Sequence, residues 1–123
     1  MYKLLKVMAL SALVMASACS KKDDGAAEKL IIQSGENQYE YNVEVADTKE
    51  TLYHGLMGRS SMAEDAGMIL DVTIVPQDMQ VAMWMKDTII PLDMLFIDEN
   101  GVIFDMHENA DPYSTECIYP TKR

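Results

Sequence analysis

The stretch QYEYNVEV, residues 38–45, decides the fold class, because apolar and polar side chains alternate along it without interruption. The apolar positions are Tyr39, Tyr41, Val43 and Val45. An alternation with a period of two predicts a β-strand with one buried face. Residues 79–86 and 92–98 alternate in the same way. The sequence therefore predicts a mainly β domain.

The stretches between these strands supply turns and one helix. Short apolar runs at residues 30–32 and 68–75 predict two more strands, and the turn sequence DENG at 98–101 predicts a hairpin leading into a strand at 102–106. Asp47 and Glu50 have the spacing of a capping box, which predicts a helix of about two turns after them. We expect a small sandwich or an open barrel with one short helix.

The amino terminus has the pattern of an export signal. Two lysines precede an uncharged, mostly apolar run at residues 7–18. This run is too short for a membrane-spanning helix, which needs about 20 apolar residues, but it suits a signal peptide over residues 1–18. A short buried helix is the alternative.

The run ends in Ala-Ser-Ala-Cys, which resembles a bacterial lipobox with Cys19 as the lipidated first residue of the mature chain. Ordinary cleavage without a lipid is the competing interpretation. Ser20, directly after the cysteine, resembles the sorting signal of lipoproteins directed to the outer membrane. We therefore expect an exported protein, anchored through Cys19 to the outer membrane and facing the periplasm. Residues 19–29 would form a flexible tether.

Composition excludes several classes of protein. Twenty acidic residues against ten basic ones give a net charge of −10, which disfavours a nucleic-acid partner. The hydrophobic content of 49% fits a globular domain. The two cysteines, Cys19 and Cys117, form no zinc-type cluster, and lipidation of the first would leave Cys117 as a free thiol.

Three pieces in order resemble one family: GLMGR at residues 55–59, GMI at 67–69 and WMKDTIIPLDMLFID at 84–98. They are similar to the domain of unknown function 192 family, with a resemblance over residues 30–119. The resemblance implies a small β-rich, jelly-roll-like fold, with no established activity. It also implies a strand or two beyond Tyr119, so residues 30–123 are expected to form a single domain that lacks its last strand or strands.

Charged and aromatic residues of these pieces make a candidate ligand surface. Its members are Arg59, Trp84, Lys86, Asp87, Thr88 and Asp93. The two cations suit a carboxylate or phosphate, and the indole offers a stacking face. We expect a binding module for a small anionic or sugar-like ligand or a partner protein. An enzyme that uses Asp93 or Asp87 with Arg59 and Lys86 is the alternative, and the same groups also suit structural ion pairs and turn caps.

Three methionines raise a metal hypothesis. Met79, Met83 and Met85 fall on one face of the predicted strand at 79–86, and thioethers select Cu(I). Cu(I) binding through Met83 and Met85 is therefore a second alternative, against the interpretation that they face the core. His54 and His107 stand in unrelated segments, and residues 98–101 fit a turn better than a calcium loop. We expect no cofactor and no metal.

Overall fold

A computed structural model describes residues 2–5, 13–16 and 28–121 of the chain. The strands are β1 (Tyr2–Leu5), β2 (Leu13–Ala16), β3 (Glu28–Ser34), β4 (Asn37–Ala46), β5 (Ala66–Leu70), β6 (Leu92–Ile97) and β7 (Ile103–Ala110). One helix, α1 (Lys49–His54), and one 3-10 helix (Val72–Ile74) complete the regular structure. A mainly β domain with one short helix is thereby confirmed.

The strands form an open sheet in the order β2-β3-β4-β5-β1-β6-β7. All neighbours are antiparallel except β4 and β5, which are parallel. Because parallel neighbours cannot be joined by a hairpin, the chain crosses over between them, and α1 lies in this crossover.

Side-chain alternation produces a core on each face of the sheet. In β5, Met68 and Leu70 belong to one cluster and Ile69 to the other. The α1-side core contains Ala46, Leu56, Met68, Leu70, Met83, Met85, Leu92, Met94, Phe96 and Ala110. The opposite core contains Leu30, Ile32, Tyr41, Val43, Ile69 and Leu95. Each large apolar side chain buried in this way stabilises the fold by about 1.5–3 kcal/mol.

Two hairpins form, and the second of them is the one predicted at residues 98–101. Around Gly35, which has a φ of 59°, β3 turns into β4. In the second hairpin Gly101 takes a φ of 79°, while the Asp98 carboxylate accepts hydrogen bonds from the backbone N–H groups of Asn100 and Val102. On β4 only Tyr41 and Val43 of the predicted apolar face are buried, because the opposite core covers the centre of the strand and not its ends.

Two local predictions are wrong in detail. The helix is capped by Thr48 and Thr51, which exchange backbone-to-hydroxyl hydrogen bonds, and not by Asp47 and Glu50. The strand predicted to end at residue 75 ends at Leu70, because the Asp71 carboxylate caps the 3-10 helix through Thr73.

The predicted strand at residues 79–86 is absent from the sheet. Its backbone pairs only at the single bridge between Met83 and Ile118. Exposed and buried side chains still alternate around Trp84, which is partly exposed between the buried Met83 and Met85.

Two strands, β1 and β2, lie within the predicted leader of residues 1–18, whose removal stays a prediction. The predicted lipidation site Cys19 and residues 20–27 of the predicted tether lie outside the described residues, and β3 begins at Glu28, two residues before the predicted start of the domain. No helix in the described part of the chain is long and apolar enough to cross a bilayer.

Candidate functional site

A cavity of about 500 Å³ lies between α1 and the connection from β5 to β6. We call it the α1 cavity. Its lining consists of Lys49, Leu52, Tyr53, His54, Gly55, Leu56, Met57, Leu70, Val72, Val75, Met79, Gln80, Val81, Ala82, Met83, Trp84, Thr88 and Leu92. A concave, mostly apolar space of this size is typical of a small-molecule site.

The floor of the cavity is part of the α1-side core. Leu56, Leu70 and Leu92 are at most 3% exposed and line the cavity; Leu70 and Leu92 belong to β5 and β6, and Leu56 follows α1. Thr88 lies beside them and is 5% exposed. Its hydroxyl donates to the Lys86 carbonyl at 3.1 Å, which leaves the oxygen lone pairs as acceptors at the cavity wall.

The mouth of the cavity carries an aromatic pair and a cation. The rings of Tyr53 and Trp84 meet edge to face, with centroids 6.2 Å apart. Lys86 Nζ lies 5.3 Å from the centroid of the Trp84 ring and 3.5 Å from the Tyr53 hydroxyl. An ammonium group at this distance is attracted to the face of the indole. The contacts hold a positive charge at the cavity mouth.

The electrostatic character of the lining differs from that of the whole chain. The chain has twenty acidic residues, yet none of those in the described part of the chain lines the α1 cavity. The ionisable lining groups are Lys49, Tyr53 and His54. Together with Lys86 at the mouth, they favour a neutral or anionic guest over a cationic one.

The structure brings only part of the predicted ligand surface to this cavity. Trp84 and Thr88 line it, and Lys86 contacts two of its lining residues. Asp87, with a φ of 53°, accepts a hydrogen bond at its carbonyl from the Gly58 N–H at 2.9 Å, so two of the three family-like pieces meet here.

Two other predicted residues serve contacts elsewhere. The Arg59 guanidinium pairs with the Glu44 carboxylate on β4. Asp93 Oδ1 accepts the Asn109 N–H at 2.7 Å and thereby closes the end of the β6–β7 hairpin. Neither residue lines the α1 cavity.

The methionines are divided between the cavity and the core. Met83 lines the cavity, whereas Met85 is 1% exposed in the α1-side core and does not line it. Met57 and Met79 line it instead. Among the described residues, no three His, Cys, Asp or Glu side chains are grouped as a metal site requires.

The sequence prediction missed the residues that α1 supplies, namely Lys49, Leu52, Tyr53 and His54. The sequence offered one weak signal, an aromatic residue, Tyr53, within the predicted helix, and the structure leaves its side chain 61% exposed.

The carboxyl-terminal segment forms a separate polar cluster. Cys117 is a free, exposed thiol. The hydrogen bond that the Tyr119 hydroxyl donates to Cys117, together with the Coulombic interaction between the two groups, raises the pKa of Tyr119. Burial acts to raise the pKa of Asp105, but hydrogen bonds from Thr121 and Met106 and the nearby His107 outweigh it and lower that pKa.

Comparison with known proteins identifies similar sequences and folds. The family model DUF192, described as "Uncharacterized ACR", matches residues 30–123. A crystal structure of a proposed transcription regulator from Sinorhizobium meliloti 1021 is 34% identical, with a TM-score of 0.64 over 91% of this chain and 73% of that one. A protein of unknown function from Novosphingobium aromaticivorans is 23% identical, with a TM-score of 0.68 over 86% of this chain and 76% of that one, and it shares the fold. No curated protein matches the chain.

Proposed function

The chain belongs to the DUF192 family, and we propose that it is a binding module that takes a small ligand with an apolar body and an anionic group into the α1 cavity. One observation supports this most directly. A protein with a net charge of −10 has a mostly apolar cavity, and no acidic residue of ranges 2–5, 13–16 and 28–121 lines it.

In the proposed complex each part of the ligand meets a matching part of the site. The apolar body contacts the leucines of the floor, where removal of apolar surface from water stabilises the complex by about 25 cal/mol per Å². The anionic group lies at the mouth beside Lys86 and Lys49. The exposed rings of Tyr53 and Trp84 give a flat apolar contact there, which also suits a sugar-like ring.

The cellular setting is part of the proposal. The basic, apolar amino-terminal run and Cys19 support export and a lipid anchor at the outer membrane, facing the periplasm. At a membrane surface the anchored domain would meet ligands of the cell envelope. Mass spectrometry of the mature protein tests this: an acylated Cys19 at the amino terminus supports it, and an unmodified terminus at another residue contradicts it.

Binding and not catalysis is proposed because two residues of the enzyme alternative, Asp93 and Arg59, make contacts elsewhere. Asp93 caps the Asn109 N–H and Arg59 pairs with Glu44, so neither is directed to the α1 cavity. A direct role on DNA is not part of the proposal, since twice as many acidic as basic residues repel phosphates.

The test uses anilinonaphthalene sulfonate, an apolar aromatic probe with one negative charge. Trp84 is the single tryptophan of the chain and lies at the mouth, so energy transfer from it reports occupancy. We expect saturable binding that Ala82→Phe abolishes by filling the cavity. Lys86→Met should weaken binding about fivefold, or roughly 1 kcal/mol, because an exposed charge interaction is lost.

Two controls make the result specific. Lys29→Met removes an exposed lysine that pairs with Glu40 on the β3–β4 hairpin, and it should leave binding unchanged. The uncharged analogue phenylnaphthylamine should bind without dependence on Lys86. Equal binding of the sulfonate to the wild type and to Ala82→Phe would show that the probe lies outside the α1 cavity and would contradict the proposal.

A further inference from the structure

A tight turn at residues 85–88 carries two groups of the α1 cavity, Lys86 at its mouth and Thr88 on its wall. The Thr88 N–H donates to the Met85 carbonyl at 3.1 Å and closes the turn, while Asp87 takes a φ of 53° inside it. A non-glycine residue with a positive φ is uncommon, and it persists where the surrounding structure holds the backbone in place. The turn therefore presents Lys86 and Thr88 in a fixed geometry.

Other segments hold this turn from two sides. The Asp87 carbonyl accepts the Gly58 N–H at 2.9 Å, and the Thr88 carbonyl accepts the Tyr113 N–H at 3.0 Å. Both backbone contacts come from residues distant in sequence, so the position of the Thr88 side chain is set by the fold and not by the turn alone. A group that is fixed before its ligand arrives binds more tightly, because no conformational freedom is lost when the complex forms.

Thr88 has an unused acceptor. Apart from the tyrosines, it is the one polar residue that is buried in the described part of the chain, with 5% exposure. Its hydroxyl donates to the Lys86 carbonyl at 3.1 Å, and no group of the described residues donates to Thr88 Oγ1 in return. The lone pairs of this oxygen are therefore available on the cavity wall. Covering them with the apolar surface of a guest costs free energy, whereas a guest that donates a hydrogen bond avoids this cost.

We propose that the ligands of the α1 cavity are hydroxylated apolar acids, and that Thr88 Oγ1 selects them by accepting a hydrogen bond from the ligand hydroxyl. The inference rests on the proposed function and adds to it the group that distinguishes one apolar anion from another. Lys86 attracts any anionic guest, and the leucines of the floor contact any apolar body. Thr88 is therefore the residue that determines specificity.

The two polar groups of the ligand have a limited separation, because Lys86 is connected to both of their sites. Its carbonyl contacts the Thr88 hydroxyl, and its Nζ lies at the mouth beside Trp84 and Tyr53. A flexible four-carbon stem joins the ammonium group to the backbone. The hydroxyl and the anionic group of the ligand are thus separated by no more than the reach of one lysine side chain and its hydrogen bonds. A phenolic acid with the two groups at opposite ends of one ring system meets this requirement.

The test compares three rigid acids that differ at one end, namely para-hydroxycinnamate, cinnamate and para-methoxycinnamate. Each is titrated into the full chain loaded with anilinonaphthalene sulfonate, and displacement is measured as the loss of sulfonate fluorescence. Of the three acids, only para-hydroxycinnamate can donate a hydrogen bond from the end of its ring. We expect it to bind about fivefold more tightly than the other two, which corresponds to the net gain of one hydrogen bond.

Substitutions of Thr88 assign this preference to its hydroxyl. Thr88→Val keeps the branched shape of the side chain but removes the acceptor, so the preference for para-hydroxycinnamate should be lost. Thr88→Ser keeps a hydroxyl and should keep the preference. Thr115→Val is the matched control, because Thr115 is exposed and does not line the α1 cavity, and it should also keep the preference. If Thr88→Val does not fold, Thr88→Cys takes its place and should reduce the preference, because a thiol is a weak acceptor.

The outcomes separate this inference from the proposed function. A preference that survives unchanged in Thr88→Val and Thr88→Cys would assign the hydroxyl contact to another residue and overturn the inference. Equal binding of the three acids by the wild type, or no displacement of the sulfonate, would overturn the inference alone, provided that Ala82→Phe abolishes sulfonate binding. Sulfonate binding that Ala82→Phe leaves unchanged would contradict the proposed function, and the inference would fail with it.

Discussion

The strand β6 and the segment at residues 79–86 were both predicted to be strands, yet only β6 becomes one. Neighbours pair with β6 on both sides, β1 on one and β7 on the other. In the other segment, Met83 exchanges two backbone hydrogen bonds with Ile118, and Met85 donates one to Ser114. The apolar pattern alone thus does not make a strand; backbone partners on both sides do. The segment left with few partners forms a wall of the α1 cavity.

The largest expected effect tests the stability side of this comparison. Phe96→Ala on β6 removes a side chain that is 1% exposed and lies 6.5 Å from the Phe104 ring, so unfolding free energy should fall by about 3–5 kcal/mol. Met79→Ala in the cavity wall removes a side chain that is 59% exposed, and it should change stability by less than about 0.5 kcal/mol while weakening probe binding. Urea denaturation measures the unfolding free energy of both variants. Equal losses of unfolding free energy would refute the distinction between a core strand and a cavity wall.

A smaller effect is expected where the two regions are joined. Asp105 of β7 accepts the Thr121 N–H at 2.7 Å and so holds the segment that bonds to Met83 and Met85. Its pKa is lowered in the fold, so its contribution is complete above the ordinary value of 3.8 and is lost as pH falls through the lowered pKa.

Asp105→Asn should therefore cost about 0.5–1 kcal/mol at neutral pH and should remove that part of the acid dependence. The measurement is unfolding free energy from about pH 6 to about pH 2. Glu108→Gln, an exposed acid on the same strand, is the matched control. A wild-type acid dependence that survives in Asp105→Asn would assign the effect to other groups.

The smallest effect separates the predicted ligand surface from the observed cavity. Arg59→Ala breaks an ion pair with Glu44 whose side chains are 39% and 40% exposed, so stability should fall by no more than about 1 kcal/mol. Probe binding should not change, because Arg59 does not line the α1 cavity. A loss of binding as large as that of Lys86→Met would restore Arg59 to the ligand surface.

Much of the fold was predictable because its signals are local. Residues 38–45 and 92–98 alternate within one strand length, and the turn at 98–101 needs only its own residues. The helix was predicted, but its cap was placed one residue early, since Thr48 and Asp47 are both good capping residues and only the backbone geometry chooses between them.

The candidate site was predictable only in part, because it is assembled from distant segments. Trp84, Lys86 and Thr88 come from one motif and stay together at the cavity. Tyr53 reaches the same mouth from α1, and no periodicity in the sequence connects it to Trp84. Arg59 and Asp93 looked equally reactive in the sequence, yet each meets a nearby group that no pattern indicated.

The parallel pairing of β4 and β5 has a consequence for how the site can change. Because parallel neighbours require a crossover, α1 is carried above the sheet by the chain between Ala46 and Ala66. The sheet forms one wall of the cavity and α1 forms another, and the length of this connection determines how far α1 lies from the sheet. Insertions or deletions in the crossover would therefore alter the size of the cavity and leave the strand ladders as they are.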